Sequence, residues 1–317
     1  MKKNYEYEKI ADIEYGELSP EVVINPNPEI MTVENRDRLD LASIENMKAL
    51  HADMPIHMDI NDLHISKANI PIRIYKPQED GVLPVVVYYH GGGWAKGNIE
   101  THDYICRYIA KGSNSIVVSV GYRLAPEYKF PIGLEDCYDA LVWVKKNAGT
   151  FNGDPSRIAV AGDSAGGNLA TVVCLLAKER QGPSILKQVL IYPNTDVSDT
   201  SQGSYKRYEK GYNLERRQVE SFNRYYVNNE NEWTNPYVSP LLAKDVSGLP
   251  PALIILSECD VLVDEGLKYV KKLKDAGVTV EYHVYKGMPH GFIGHTYQKS
   301  FEALDKINSV LQFTWSN

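Results

Sequence analysis

The sequence predicts an α/β domain built on a mostly parallel sheet. Three observations carry that expectation. Short apolar runs rich in β-branched and aromatic residues recur from about residue 56 onward. Stretches with helical periodicity stand between them. A serine flanked by glycines, Gly162-Asp163-Ser164-Ala165-Gly166, sits where one apolar run gives way to one helical stretch.

Residues 56–65 and 70–75 read as two strands divided by the polar residues 66–69. Residues 84–90, PVVVYYH, form an uninterrupted apolar run, which suits a strand buried on both faces. Residues 115–122, 157–162, 189–192, 252–257 and 278–285 read the same way. Among the helical stretches, residues 135–147 carry Cys137, Leu141 and Val144 at i, i+4 and i+7, and residues 165–178 carry Leu169, Val172, Val173 and Leu176 on one side. Residues 264–276 open with acidic side chains and stop at Gly277, which suits the helix dipole and the C-cap. Residues 298–312 read as a closing helix.

Two segments break the alternation. Residues 1–55 are polar and helix-like, with 34–50 the best periodic stretch. Residues 194–245 interrupt the pattern between two strands and carry Tyr205, Tyr208, Tyr212, Phe222, Tyr225, Tyr226, Trp233 and Tyr237. An insertion of that length is usually functional. Its aromatics are read as a lid that offers apolar contact to a ligand, in preference to tyrosines on a wet helical face.

Composition bounds the partners. With 317 residues, 43% of them hydrophobic and 24% charged, the chain can bury a full core without disulfide or metal staples. A net charge of −7 argues against nucleic acid and gives no reason to expect an anionic membrane surface. The two N-terminal lysines precede no apolar run, so no secretory signal is read, and no stretch approaches the ~18 apolar residues of a spanning helix. The cytoplasm is the expected compartment. Cys106, Cys137, Cys174 and Cys259 lack metal-site spacing and are expected as reduced thiols in or near the core.

The chemistry centres on residues 162–166. A G-x-S-x-G turn between strand and helix must be tight, so glycines flank it and the serine is forced outward above the sheet, at a helix N-terminus that favours negative charge. Alone the pentapeptide is weak; with strand and helix in place it is strong. The second signal is His90-Gly91-Gly92-Gly93-Trp94, directly after the PVVVYY run, where bare backbone N–H groups can stabilise a developing oxyanion. It fits neither a Walker A loop nor a dinucleotide fingerprint, since Gly97 is followed by Asn98 and the third glycine is misplaced.

A nucleophilic serine needs a base and an orienting acid. His290, in a Pro/Gly-rich loop after the last strand, reaches the same rim of the sheet; His295 is its nearest rival, and His283 lies mid-strand. His51, His57, His64 and His102 precede the serine and fit surface or core roles. Asp260 follows the ALIILSE run directly, with Asp264, Asp196 and Glu258 as competitors. The order Ser164, Asp260, His290 is the one expected of an α/β-hydrolase.

The stretches HGGGW at 90–94, YRLAPE at 122–127, GDSAGGNLA at 162–170, DVLVDEG at 260–266 and HGF at 290–292 resemble the hormone-sensitive-lipase-like group of α/β-hydrolases, the bacterial family IV carboxylesterases, with similarity to acetyl esterases. The resemblance implies an eight-stranded, mostly parallel sheet flanked by helices, with a helical cap over the site. The cap would come from residues 1–55 and 194–245, leaving 56–193 and 246–317 as the core. It also implies Ser164 as nucleophile, His290 as base and Asp260 as orienting acid. Gly91, Gly92 and Ala165 would donate the N–H groups of the oxyanion hole. Two departures are Gly121, where many members carry Asp, and Val261, where many carry Pro. Asp163 and Glu127 are expected to tie loops together.

The expected reaction is hydrolysis of a small-molecule, short-chain acyl ester through an acyl-serine, with no metal or organic cofactor. An amidase or deacylase with the same triad is the alternative within enzymes. A ligand-binding protein on an inactivated hydrolase is the alternative outside them, and the retained Ser164, Asp260 and His290 argue against it. Homo-oligomerisation and the physiological ester are left open.

Overall fold

The computed structural model describes residues 17–22, 32, 34–54, 56–201 and 203–316. Much of the expected N-terminal cap segment, including residues 1–16 and 23–31, therefore lies outside the described residues. In chain order the elements are helix α1 (Arg36–Leu50), strands β1 (Asp59–Ile65), β2 (Ile70–Lys76) and β3 (Leu83–Tyr89), helix α2 (Asp103–Ser113), β4 (Ile116–Val120), α3 (Ile132–Asn147), β5 (Gly153–Asp163) and α4 (Ala165–Glu179). There follow β6 (Lys187–Ile191), the short α5 (Ser204–Arg207), α6 (Arg216–Tyr226), β7 (Ala252–Cys259), α7 (Val263–Asp275), β8 (Val280–Pro289) and α8 (Gln298–Trp315).

The eight strands form one sheet in the order β1-β2-β4-β3-β5-β6-β7-β8. The β1/β2 and β2/β4 pairs are antiparallel and the other five are parallel. Each expected strand is present. β5 begins earlier than expected because Gly153 pairs with Leu83 ahead of the regular register. The chain steps from β3 to β4 on one side, then returns to place β5 on the other, so a crevice opens beyond the C-terminal ends of β3 and β5.

Helices cover both faces. On one side Val85, Val87 and Tyr89 of β3 join Leu134, Leu141 and Val144 of α3 and Leu169, Val172 and Val173 of α4. On the other, Val86 and Tyr88 join Ile105 and Ile109 of α2 and Leu304 and Ile307 of α8. All of β3, β4 and β7 is buried, which is why these strands read as apolar runs without alternation. The four cysteines are buried and form no disulfide. Helix α2 was not anticipated from the sequence. Its apolar stripe of Ile105, Cys106, Ile109 and Ala110 is short and interleaved with Arg107 and Tyr108, yet it seals one flank of the sheet. No helix among the described residues is long and apolar enough to cross a membrane.

Between β6 and β7 the chain forms α5, α6 and short 3₁₀ turns. A capping box between Glu215 and Gln218 starts α6. The expectation that the aromatics of this segment face a ligand is corrected. Tyr205, Tyr208 and Tyr226 are buried in the main core, and Tyr212, Trp233 and Tyr237 pack against it. Tyr226 stacks on Trp94 with ring centroids 4.3 Å apart. Of the eight, only Phe222 reaches the cavity above the sheet. The reason is that an excursion of this length must bury a face of its own, and aromatic rings supply that area.

Burial sets an expected contrast in stability. Ile254→Ala, in the centre of β7 and 0% exposed, should cost ~2–5 kcal/mol in urea denaturation. Phe313→Ala, on a side chain 71% exposed, should stay within ~0.5 kcal/mol of the parent.

Candidate active site

The site grows from two register pairs. β3 and β5 pair Tyr89 with Gly162, so the glycine loop that begins at His90 and the turn that begins at Asp163 leave the sheet side by side. β7 and β8 pair Cys259 with Pro289, so the next residues, Asp260 and His290, also emerge as neighbours.

Ser164 sits at φ 55° and ψ −118°, between strand and helix. Its N–H donates to the Ile191 carbonyl at 2.8 Å. Both flanking glycines are sterically required: a Cβ on Gly166 would lie 2.0 Å from the Tyr89 carbonyl oxygen, and one on Gly162 would lie 2.3 Å from the Gly166 carbonyl oxygen.

The imidazole of His290 bridges the other two groups. Its Nε2 is 2.9 Å from Ser164 Oγ and its Nδ1 is 2.7 Å from Asp260 Oδ2. The Leu262 N–H donates to Asp260 Oδ1 at 3.0 Å, which fixes the carboxylate. Asn213 Nδ2 donates to the His290 carbonyl at 2.8 Å, and the Tyr192 ring lies 4.7 Å from the imidazole. The rivals make other contacts, although His295 lines the same cavity. His295 stacks on Tyr297, and His283 pairs with Glu281. Asp264 accepts from the Ser204 N–H, Asp196 from the Ser198 N–H and Glu258 from the Gly287 N–H. Structure thus brings Ser164, His290 and Asp260 together and directs each competitor to another partner.

The glycine loop departs from expectation at one residue. The Gly91 N–H donates to Asp163 Oδ1 at 2.9 Å, so it is turned away from Ser164 and engaged. Gly92 and Gly93 follow at φ 120° and φ 61°. Among the described residues, the N–H groups of Gly92, Gly93 and Ala165 donate to no protein acceptor. A Cβ on Gly93 would collide with the Phe222 ring, so the loop can pass beneath α6 only as glycine.

Asp163 locks the two loops together. Besides the Gly91 N–H it accepts from Tyr88 Oη at 2.8 Å, and His102 Nε2 lies 3.2 Å from Oδ1 and 3.3 Å from Oδ2. Burial pushes the Asp163 carboxyl up, but His102 and Tyr88 outweigh burial and hold it below the usual carboxylate range. Burial likewise pulls the His102 imidazole down, and the Asp163 carboxylate more than reverses this, so it ends raised. His90 is different: burial and the charge of His102 lower it to about 3. Neutral, it accepts the stacked Tyr122 ring at 4.3 Å, and Tyr122 Oη donates to its carbonyl. The sequence assigns His102 only a surface or core role, because nothing in its spacing marks it as a partner of Asp163. Only the fold carries it from the start of α2 to Asp163.

Helix α1 closes the other side. Arg36 donates to the carbonyls of Ala95 and Ala125 at 2.6 Å each and binds both oxygens of Glu127. Asp40 accepts from the Gly97 N–H at 2.9 Å. Residues of α1 such as Leu39 and Met47, with Val219 and Phe222 of α6, enclose a cavity of about 580 Å³ that contains Ser164 and His290.

A family model described as the α/β-hydrolase fold matches residues 86–294. The chain is 40% identical over 264 residues to the carboxylic ester hydrolase LipN of Mycobacterium tuberculosis, covering 80% of this chain and 70% of that protein. It is 37% identical over 262 residues to an ethyl acetate hydrolase of Pseudomonas putida, covering 80% and 82%. Among solved structures it is similar to a hyperthermophilic esterase from Pyrobaculum calidifontis, with 40% identity, a TM-score of 0.84 and coverage of 89% of this chain and 93% of that one.

The pH dependence of the Asp163–His102 pair follows from the signs of the shifts. The lowered carboxyl contributes above its ordinary value near ~4 and loses this as pH falls through its native value. The raised imidazole contributes fully below ~6.5 and loses this as pH rises through its native value. Asp163→Asn should therefore cost more stability at about pH 5.5 than at about pH 9. Equal losses in urea denaturation at both would show that no ion pair forms.

Proposed function

This chain belongs to the hormone-sensitive-lipase-like branch of the α/β-hydrolase fold family, and we propose that Ser164, His290 and Asp260 are the triad with which it hydrolyses short-chain carboxylic esters. The observation that carries this reading is the hydrogen-bonded chain of 2.9 Å and 2.7 Å from Ser164 through His290 to Asp260, inside a cavity able to take a small ester.

The mechanism follows from that chain. Ser164 Oγ attacks the ester carbonyl carbon while His290 Nε2 takes its proton. Asp260 accepts from Nδ1, which fixes the tautomer and stabilises the imidazolium. The carbonyl oxygen becomes an oxyanion facing the N–H groups of Gly92, Gly93 and Ala165, with the N-terminus of α4 adding its dipole. Gly93 takes the place first expected for Gly91. The tetrahedral species collapses, the alcohol leaves with the proton from His290, and water enters to release the acid by the same steps. Residues of α1 and of the segment between β6 and β7 act as the cap, holding the substrate against the glycine loop and limiting water access.

The cavity of about 580 Å³ bounded by Leu39, Met47, Val219 and Phe222 is of a size that takes a small ester. Ethyl acetate hydrolysis by a relative supports the same reading.

Ser164→Ala should lower kcat at least ~1000-fold with the fold intact, and His290→Ala should do the same. His295→Ala should retain most of the activity. Near-parental turnover by the serine variant, or the reverse ranking of the histidines, would refute the assignment. Across acetyl, butyryl, octanoyl and palmitoyl p-nitrophenyl esters, kcat/KM should be highest at the two short chains and fall beyond; a steady rise toward palmitoyl would make the protein a lipase.

A further inference from the structure

The glycine loop ends in a charged side chain that the reaction does not use. Lys96 lines the cavity that holds Ser164 and is only partly exposed. The other charged residues of the wall, the second cation Arg38 included, are engaged. Asp163 and His102 bind each other, His290 binds Asp260, and Asp40 holds the Gly97 N–H and Asn98 Nδ2. The Lys96 ammonium, in contrast, makes no hydrogen bond or ion pair with any described residue.

Its backbone is tightly placed. The N–H groups of Ala95 and Lys96 both donate to the Gly92 carbonyl, at 3.2 and 3.0 Å. Trp94 at φ 57° and Gly97 at φ 82° complete the turn, and a Cβ on Gly97 would lie 2.5 Å from the Gly91 carbonyl oxygen. The lysine stem therefore leaves a rigid loop beside the oxyanion donors. Burial pushes its ammonium below the ordinary lysine value, while the nearby Asp40 carboxylate, which holds the N–H of the next residue, acts in the opposite direction. Holding a cation here without a direct counter-ion is costly. A bound anion offsets that cost, and a partly buried pair is screened by salt less than an exposed one.

We propose that Lys96 makes this cavity selective for esters that carry a carboxylate a few bonds from the scissile ester, such as half-esters of short dicarboxylic acids or acyl esters of hydroxy acids. A monoanion suits this wall best. One ammonium is a single point donor, whereas a phosphate dianion calls for a fork or several donors, and the carboxylates of Asp40 and Asp163 share the wall. The proposal rests on the ester-hydrolase reading and narrows its substrate class.

The test compares isosteric substrates that differ in charge alone. Monoethyl succinate is set against ethyl succinamate for a carboxylate on the acyl side. For the alcohol side, 3-acetoxypropanoate is set against 3-acetoxypropanamide. In at least one pair the parent protein should favour the charged member at least tenfold in kcat/KM, and the pair that does so locates Lys96 relative to Ser164. Lys96→Met should reduce that ratio at least tenfold, mainly through KM, and Lys96→Glu should invert it. Should Lys96→Met fail to fold, Lys96→Gln and the parent ratio still decide. A parent ratio at or below one in both pairs, or a ratio unchanged in the variants, overturns the proposal. Ethyl butyrate separates the two levels: no turnover by the parent protein removes the ester-hydrolase reading, whereas turnover with flat charge ratios removes only the role of Lys96.

Discussion

A serine held at φ 55° is the constraint around which the rest of this molecule is arranged. Such a conformation costs of the order of 1–3 kcal/mol and persists only where its surroundings over-determine it. Here they do. The strand leading in is hydrogen-bonded on both sides, to β3 and β6, and the helix leading out is buried along nearly its whole length. Gly162 and Gly166 let the turn press against the Tyr89 carbonyl, and the Ser164 N–H is anchored on Ile191. Relaxing the serine would mean moving the centre of the sheet.

Around that turn, buried polar groups are connected in series. Asp163 joins the serine turn to the glycine loop through the Gly91 N–H, and His102 joins both to the start of α2. Tyr122 and His90 brace the loop from behind, while Arg123 and Asp136 hold the segment that carries Tyr122. Arg36 then extends the chain of contacts to α1, reaching Ala95, Ala125 and Glu127 in one guanidinium. Each group satisfies another that would be expensive to leave buried and unpaired. The YRLAPE stretch is thus a brace for the glycine loop. Gly121 just before it has a local reason as well, since a Cβ there would lie 2.8 Å from the Pro71 side chain.

Much of the architecture was legible because it is local. Buried strands such as residues 84–90 are apolar without interruption, and a serine between glycines at a strand-to-helix junction has few alternatives to an exposed position. Asp260 and His290 were legible for a related reason. Each follows directly on a strand of one parallel sheet, and parallel strands deliver their C-terminal residues to one rim. Helix α2 was equally local, with Ile105, Cys106, Ile109 and Ala110 at helical spacing, and was overlooked all the same.

Sequence by itself determined the fold class, the order of the strands along the chain, and Ser164, Asp260 and His290 as candidates, because hydrophobic period and turn chemistry are properties of neighbouring residues. Tertiary structure alone decided which glycine N–H groups stay open, that His102 reaches Asp163, that the aromatics between β6 and β7 fill the core, and that the Lys96 ammonium stands in the cavity without a direct ion pair. Each of these depends on which distant segments meet, which is set by strand register and by the packing of α1 and α6, and no local pattern encodes it.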